Sequence, residues 1–361
     1  MITVLHDVLK LGVDSGASDV HIKAGSPVHY RIDAQLAGTD FVTEEVMVKE
    51  FIEQVAEPHL LDKYRETGDL DLSVVEDDVG RFRLNIHRQR GVDAMTFRHV
   101  KSKIPNFHSL NLPPVLLELA ESERGIILLA GTTGSGKSTT LAAMLQHVNE
   151  NFSKHIITVE DPIEFEFQDE NCIFEQREVG LDTISFDSAL VHALRQDPDT
   201  IMVGEMRNRT SFDAALKAAD TGHLVLSTVH ASTASQSIQR ILNLYEHHEQ
   251  AAIQTSLALN IKAIIAQRLV PRVDKGVVPV NEILINTSVV QKLMEDDRME
   301  KLPAAIESGG KSGMQTFNQA LIHFLDQGLI TEEEALKTAE NPEQLKMNMK
   351  GIFLSSNNII G

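Results

Sequence analysis

A single cysteine, Cys172, stands among 361 residues. That excludes an internal disulfide and a multi-cysteine zinc site, and it fits a reducing compartment. Long apolar runs are missing too. The most apolar stretch, 126–130 (IILLA), is five residues long, whereas a membrane-spanning helix needs about 20. The opening MITVLHDVLKLGV lacks a basic start, and Asp7 and Lys10 interrupt its apolar residues. It reads as an amphipathic helix with Val4, Leu5, Val8 and Leu9 on one side, not as a targeting signal. Positive charge is scarce: 33 Lys and Arg stand against 52 Asp and Glu, for a net charge of −19. Broad binding to nucleic acid or anionic lipid needs a cationic face, so no nucleic-acid partner is expected. The expected location is the cytoplasm, with docking on a membrane protein left open.

What is present fits a globular chain of two or three domains, 42% hydrophobic and 24% charged. Residues 1–104 read as a mixed α/β unit. Helical patterns cover 2–13 and 43–61. One strand alternates strictly, with Phe82, Leu84 and Ile86 facing one way and Arg81, Arg83, Asn85 and His87 the other. A second strand ends in Met95-Thr96-Phe97-Arg98. Residues 105–114 (PNFHSLNLPP) read as a linker with three prolines. From 115 to 287 short apolar runs at 126–130, 156–159, 201–203 and 224–229 alternate with helical patterns at 139–149, 186–195 and 210–220. That alternation predicts a parallel sheet buried on both faces. Residues 288–361 form a mostly helical region. It ends in the tail 351–361, where Ile352, Phe353, Leu354, Ile359 and Ile360 supply apolar surface.

Residues 131–138 (GTTGSGKS) match GxxxxGKS between a strand and a helix, the P-loop pattern in its required context. The glycines let the backbone curl so that successive N–H groups face phosphate oxygens, and the helix start adds positive potential there. Thr132, Thr133, Gly134, Ser135, Gly136, Lys137, Ser138 and Thr139 are therefore the candidate ATP-binding residues. Lys137 should reach the β and γ phosphates, and the Ser138 hydroxyl should bind Mg²⁺. Ligands of parallel α/β sheets sit beyond the carboxyl ends of the strands. Strand 156–159 ends in Glu160, and strand 201–203 ends in Gly204-Glu205. One carboxylate can hold Mg²⁺ or its waters while the other orients the attacking water. Glu205 is the candidate for the metal, directly or through water. His223 and His230 are seven residues apart. On one regular strand they would face opposite sides, which excludes a joint metal site and leaves one of them to sense the γ-phosphate.

An ordered set of segments resembles the secretion and type IV pilus ATPases, and within them the retraction ATPases of the PilT/PilU family. The carriers are GASDVH (16–21), GRFRLN (80–85), GTTGSGKSTTLAAML (131–145), TVEDPIEF (158–165), ALRQDPDTIMVGEMR (193–207), TGHLVLSTVHAS (221–232) and GMQTF (313–317). By resemblance, Glu160 is the aspartate-box glutamate that activates water, Glu205 the Walker B glutamate and His230 the second histidine-box position. Arg81, Arg83 and Arg98 correspond to N-terminal arginines that approach the nucleotide, and Arg207 and His223 join the catalytic candidates. The resemblance also implies a PAS-like N-terminal domain, a RecA-like ATPase domain and a homohexameric ring. The implied partner is an inner-membrane platform protein of the PilC type. The extension ATPases of this group carry a tetracysteine segment that this chain lacks. QREVGLDT (176–183) and NIKAIIAQRLV (260–270) lean toward the PilU-like branch. The expected activity is ATP hydrolysis that drives pilus retraction. The alternatives are an accessory ring that depends on a PilT-like ATPase, a type II secretion or pilus assembly ATPase, and a DNA motor, which the acidic charge disfavours.

Overall fold

Phe82, Leu84 and Ile86 are all buried, and the residues between them form the opposite, polar face of their strand. The computed structural model describes residues 5–33, 35–100 and 103–352. It divides into two units, Met1–Lys103 with Glu164–Glu166, and Ile104–Ile163 with Phe167–Gly361. Val4 of the first helical pattern, and Phe353, Leu354, Ile359 and Ile360 of the tail, lie outside the described residues.

The first unit holds α1 (Leu5–Asp14), β1 (Asp19–Lys23), β2 (Ser26–Ile32), β3 (Gln35–Thr43), α2 (Glu45–Val55), α3 (Pro58–Thr67), β4 (Asp69–Glu76), β5 (Gly80–Gln89) and β6 (Val92–His99). Its sheet has the order β3-β2-β1-β6-β5-β4, antiparallel throughout. One face buries Val20, Ile22, Tyr30, Phe82, Leu84, Met95 and Phe97 against Leu5, Val8 and Leu9 of α1 and Val48, Phe51 and Ile52 of α2. A fully buried side chain of this kind contributes about 1.5–3 kcal/mol. The helix expected over 43–61 is two helices. Pro58 starts α3 as a first-turn proline, and it keeps Glu57 extended (φ −64°, ψ 154°), so α2 stops before it.

The second unit carries α4 (Val115–Ala120), β7 (Gly125–Ala130), α5 (Lys137–Asn151), β8 (His155–Glu160), β9 (Ile173–Glu178), α6 (Phe186–Ala193), β10 (Thr200–Val203) and α7 (Arg209–Asp220). It continues through β11 (Leu224–Val229), α8 (Ala234–Leu242), α9 (His247–Asn260), β12 (Ile261–Pro271) and β13 (Val277–Ile285). Five further helices follow: α10 (Ser288–Glu295), α11 (Leu302–Ser308), α12 (Phe317–Asp326), α13 (Glu332–Thr338) and α14 (Pro342–Met349). The sheet order is β13-β12-β7-β11-β10-β8-β9, with every neighbour parallel except β12 and β13. The expected parallel sheet is therefore larger than its four apolar runs, and it is closed on one side by an antiparallel strand. β9 escapes an apolar reading because it lies at the edge and carries Glu175, Arg177 and Glu178. β7, β10 and β11 are buried at every residue, as strands covered on both faces must be. The same hydrophobic core runs on through Val290, Leu302, Leu321 and Leu345 of the C-terminal helices. Residues 105–114 include a short helical turn, and Phe107 and Leu112 are buried.

Candidate functional site

β7 lies between β11 and β12, so the loop that leaves it at Gly131 emerges near the middle of the sheet's carboxyl edge. Two of its glycines are obligatory. A Cβ on Gly131 (φ 154°) would meet Ser135 Oγ at 2.4 Å and the Gln267 carbonyl at 2.7 Å. A Cβ on Gly136 (φ 83°) would lie 2.9 Å from Gln267 Nε2. Lys137 opens α5, and its Nζ donates to the carbonyls of Gly131 and Thr132 at 2.9 Å each. Burial pushes the Lys137 ammonium below its ordinary pKa, opposed by the negative charge of Glu205. Ser138 and Thr139 occupy the first turn of the same helix.

The neighbouring parallel strands end on this edge. β8 delivers Glu160, which is buried and whose Oε1 accepts from Thr158 Oγ1 at 2.8 Å and from Gln176 Nε2 at 3.3 Å. The Asp161–Pro162 peptide that follows is cis. β10 delivers Gly204 and Glu205. Ser227 Oγ and Thr228 Oγ1 on β11 donate to the carbonyls of Val203 and Gly204 at 2.7 Å each, pinning the turn that carries Glu205. β11 ends at Val229 and so delivers His230. Glu205 Oε2 pairs with Arg207 Nη2 at 2.7 Å, and its Oε1 lies 3.2 Å from His230 Nε2. Burial alone would raise the Glu205 pKa. The hydrogen bond from Arg207 and the positive charges of His230, Arg207 and Lys137 outweigh that and hold the carboxyl below the usual range. Glu205 is thus a carboxylate held ionised by Arg207 and Lys137, with the His230 ring 3.2 Å away, beside a phosphate-binding type of loop.

The structure brings Thr132–Thr139, Glu160, Glu205, Arg207 and His230 to one sheet edge. His223 is elsewhere, and the expectation that it joins them is corrected. The strand covers only 224–229, so His223 precedes it and His230 follows it. Seven residues at about 3.3 Å each separate them by roughly 20 Å along the strand direction. The His223 ring instead lies 3.0 Å from the Ala218 carbonyl and 3.0 Å from Thr221 Oγ1, at the end of α7. In the first unit Arg81, Arg83 and Arg98 share the polar face of the six-stranded sheet, where Arg83 and Arg98 are register partners. Arg83 Nη2 pairs with Glu164 Oε1 at 2.5 Å, within the same unit, and Arg98 Nε donates to Asp19 Oδ1 at 2.8 Å.

Sequence reasoning missed the groups beneath the loop. Gln267, buried on β12, donates to the Ser135 carbonyl at 2.7 Å and accepts from Thr140 Oγ1 and Asn281 Nδ2 at 2.9 Å each. The Asn281 carbonyl in turn accepts from Gln315 Nε2 at 3.0 Å, which ties in the GMQTF segment. The available signal is the amide of Gln267, which with Arg268 interrupts the apolar run 263–270 (AIIAQRLV).

A GxxxxGKS loop at the carboxyl edge of a mostly parallel sheet, with strand-end carboxylates beside it, defines the second unit as a P-loop α/β unit. A family model described as type II/IV secretion system protein matches residues 1–346, and the chain belongs to that family. It is 39% identical to the type IV pilus ATPase PilU of Pseudomonas aeruginosa, over 95% of this chain and 90% of that protein. It is 36% identical to the type IV pilus retraction ATPase PilT of the same organism, over 93% of this chain and 98% of that one. A crystal structure of the pilus retraction motor PilT with bound ADP superposes with a TM-score of 0.89 at 39% identity, covering 95% of this chain and 99% of that one. Among the described residues no helix is long and apolar enough to cross a membrane.

Proposed function

We propose that this chain is an ATP-hydrolysing motor for type IV pilus retraction. The observation that carries the reading is Glu205, held ionised by Arg207, His230 and Lys137 at the edge where the P-loop opens. Its kinship with PilT and PilU supplies the pilus. In this reading the backbone of Thr132–Thr139 cradles the phosphates, and Lys137 exchanges its two loop carbonyls for phosphate oxygens. Ser138 and Glu205 would hold Mg²⁺, which supplies charge neutralisation as the γ-phosphoryl group leaves. The donor set fits that ion, because Mg²⁺ in such sites takes few protein oxygens and keeps its other positions for phosphate and water. Glu160, fixed by Thr158 and Gln176, orients the attacking water. His230 senses the γ-phosphate through its link to Glu205, and Arg207 restrains Glu205. Arg81, Arg83 and Arg98 act as late-arriving arginines that couple domain closure to hydrolysis. The working form is a homohexameric ring at the cytoplasmic side of the inner membrane, docked on a platform protein of the PilC type.

Phosphate release per chain, measured against protein concentration with Lys137→Ala as the blank, tests this. The expected result is a rate that rises and saturates with concentration, with the variant at background. Release no greater than the blank from a protein that still binds ATP would overturn the motor reading in favour of an accessory ring that needs a PilT-like ATPase.

A further inference from the structure

The geometry points to Gln267 as a positioning residue of the phosphate loop, one that holds the Ser135–Gly136 peptide in its anion-binding orientation. This rests on the nucleotide reading above. Gln267 lies on β12, next to the strand that feeds the loop, and its side chain is buried. Its orientation is settled by the Ser135 carbonyl, which can only accept, so the Gln267 nitrogen must face it, at 2.7 Å. Its oxygen then accepts from Thr140 Oγ1 and Asn281 Nδ2, each 2.9 Å away.

In a trans peptide the C=O and N–H point in opposite directions. Drawing the Ser135 oxygen down onto Gln267 therefore turns the Gly136 N–H to the other side. An anion cradle needs successive N–H groups on one concave side, with their carbonyls turned away. Without the tether this glycine-flanked peptide can rotate and present an oxygen to the phosphate. The close approach also explains why residue 136 is glycine, since a Cβ there would crowd Gln267 Nε2 at 2.9 Å. Thr140 belongs to α5, so one amide fixes the loop to the helix behind it and to two strands beneath it.

The test is calorimetric titration of the full chain with ATP and, separately, with tripolyphosphate, which carries phosphate contacts alone. Gln267→Met removes the tether at similar volume. Gln267→Glu keeps an acceptor for Thr140 and Asn281, removes the donor and adds a negative charge, so Gln267→Met is the variant that isolates the tether. Asn281→Ala leaves the tether in place. Loss of one buried hydrogen bond with its orienting effect should raise Kd for both probes about tenfold in either Gln267 variant, with the number of sites per folded chain unchanged, and under about threefold in Asn281→Ala. A purely structural role would lower the number of competent sites and leave Kd alone, and that result in both Gln267 variants would overturn the proposal. So would equal losses in Gln267→Met and Asn281→Ala. A wild-type chain that binds neither probe would instead overturn the nucleotide reading itself.

Discussion

The two sheets of this protein solve different problems with the same backbone geometry. The six-stranded sheet is antiparallel and packs its helices on one face, so its polar groups spread across the other: Asp19, Arg31, His21, Asn85 and Arg98 lie side by side in register. The seven-stranded sheet is covered on both faces at its centre, so β7 and β10 carry almost no polar groups until they end. Its reactive residues gather at one edge, as Glu160, Glu205 and His230. Where a sheet leaves room for polar side chains decides whether its chemistry is a surface or a line.

The edge should therefore be sensitive in turnover, and an ion pair of the face should contribute little to stability. Glu205→Gln keeps the shape and removes the charge. We expect turnover to fall by roughly 10²–10⁴-fold while ATP affinity stays within a few-fold. Steady-state kinetics together with direct nucleotide binding will check this, and an affinity collapse at normal turnover per bound ATP would make Glu205 a binding group only.

The antiparallel side of the same sheet gives the second effect. Glu282 on β13 is buried and accepts the Ala234 N–H at 2.8 Å. Burial pushes its carboxyl from 4.5 up to about 7; the Ala234 N–H and Arg268 oppose the shift, and Glu340 adds to it. A raised carboxyl pKa favours folding only while the group is protonated. The benefit is complete below about 4.5 and is lost as the pH rises through about 7. The cost at pH 8 is on the order of 3 kcal/mol. Glu282→Gln, neutral at every pH, should be more stable than the parent by about that much at pH 8, and the gain should shrink toward zero near pH 4.5. Urea unfolding across that range decides it; a gain independent of pH would show that packing, not charge, is responsible.

The smallest effect belongs to the open face. Asp19→Asn weakens the pair with Arg98, whose side chain is 65% exposed. The Asp19 side chain is only 7% exposed, but Asn keeps an oxygen for the Arg98 Nε–H and can still pair with Ser18, so the expected loss is about 1 kcal/mol. A loss of several kcal/mol in thermal unfolding would mean that the face of the six-stranded sheet is as finely balanced as the edge of the other.

Legibility followed burial. GTTGSGKS could be read directly because its residue types are required by what the backbone must do there. The runs IILLA and LVLSTV could be read because strands buried on both faces leave no other composition. β9 and β12 were not legible as members of the sheet: β9 is charged at the sheet edge, and β12 follows α9 with no break in the apolar pattern. Pro58, by contrast, is a visible break within the pattern 43–61, because the residue before a proline avoids helical backbone. For the site, the strand-end acids were legible as individuals. His223 was a candidate through the resemblance alone; its place at the start of β11 follows from the strand's direction.

By itself, the sequence determined that a phosphate loop sits between a buried strand and a helix, that carboxylates follow two further strands, and that the N-terminal strand Arg81–His87 has one polar face. Local covalent geometry and the periods of strand and helix are enough for that. Only the tertiary structure decided which of those groups meet. Strand order put β12 beside β7 and so brought Gln267 under Ser135, 132 residues away in the chain. It also set Glu205 between Arg207 and His230 and left His223 at the far edge. Such pairings depend on distances across the sheet, and no local pattern encodes those.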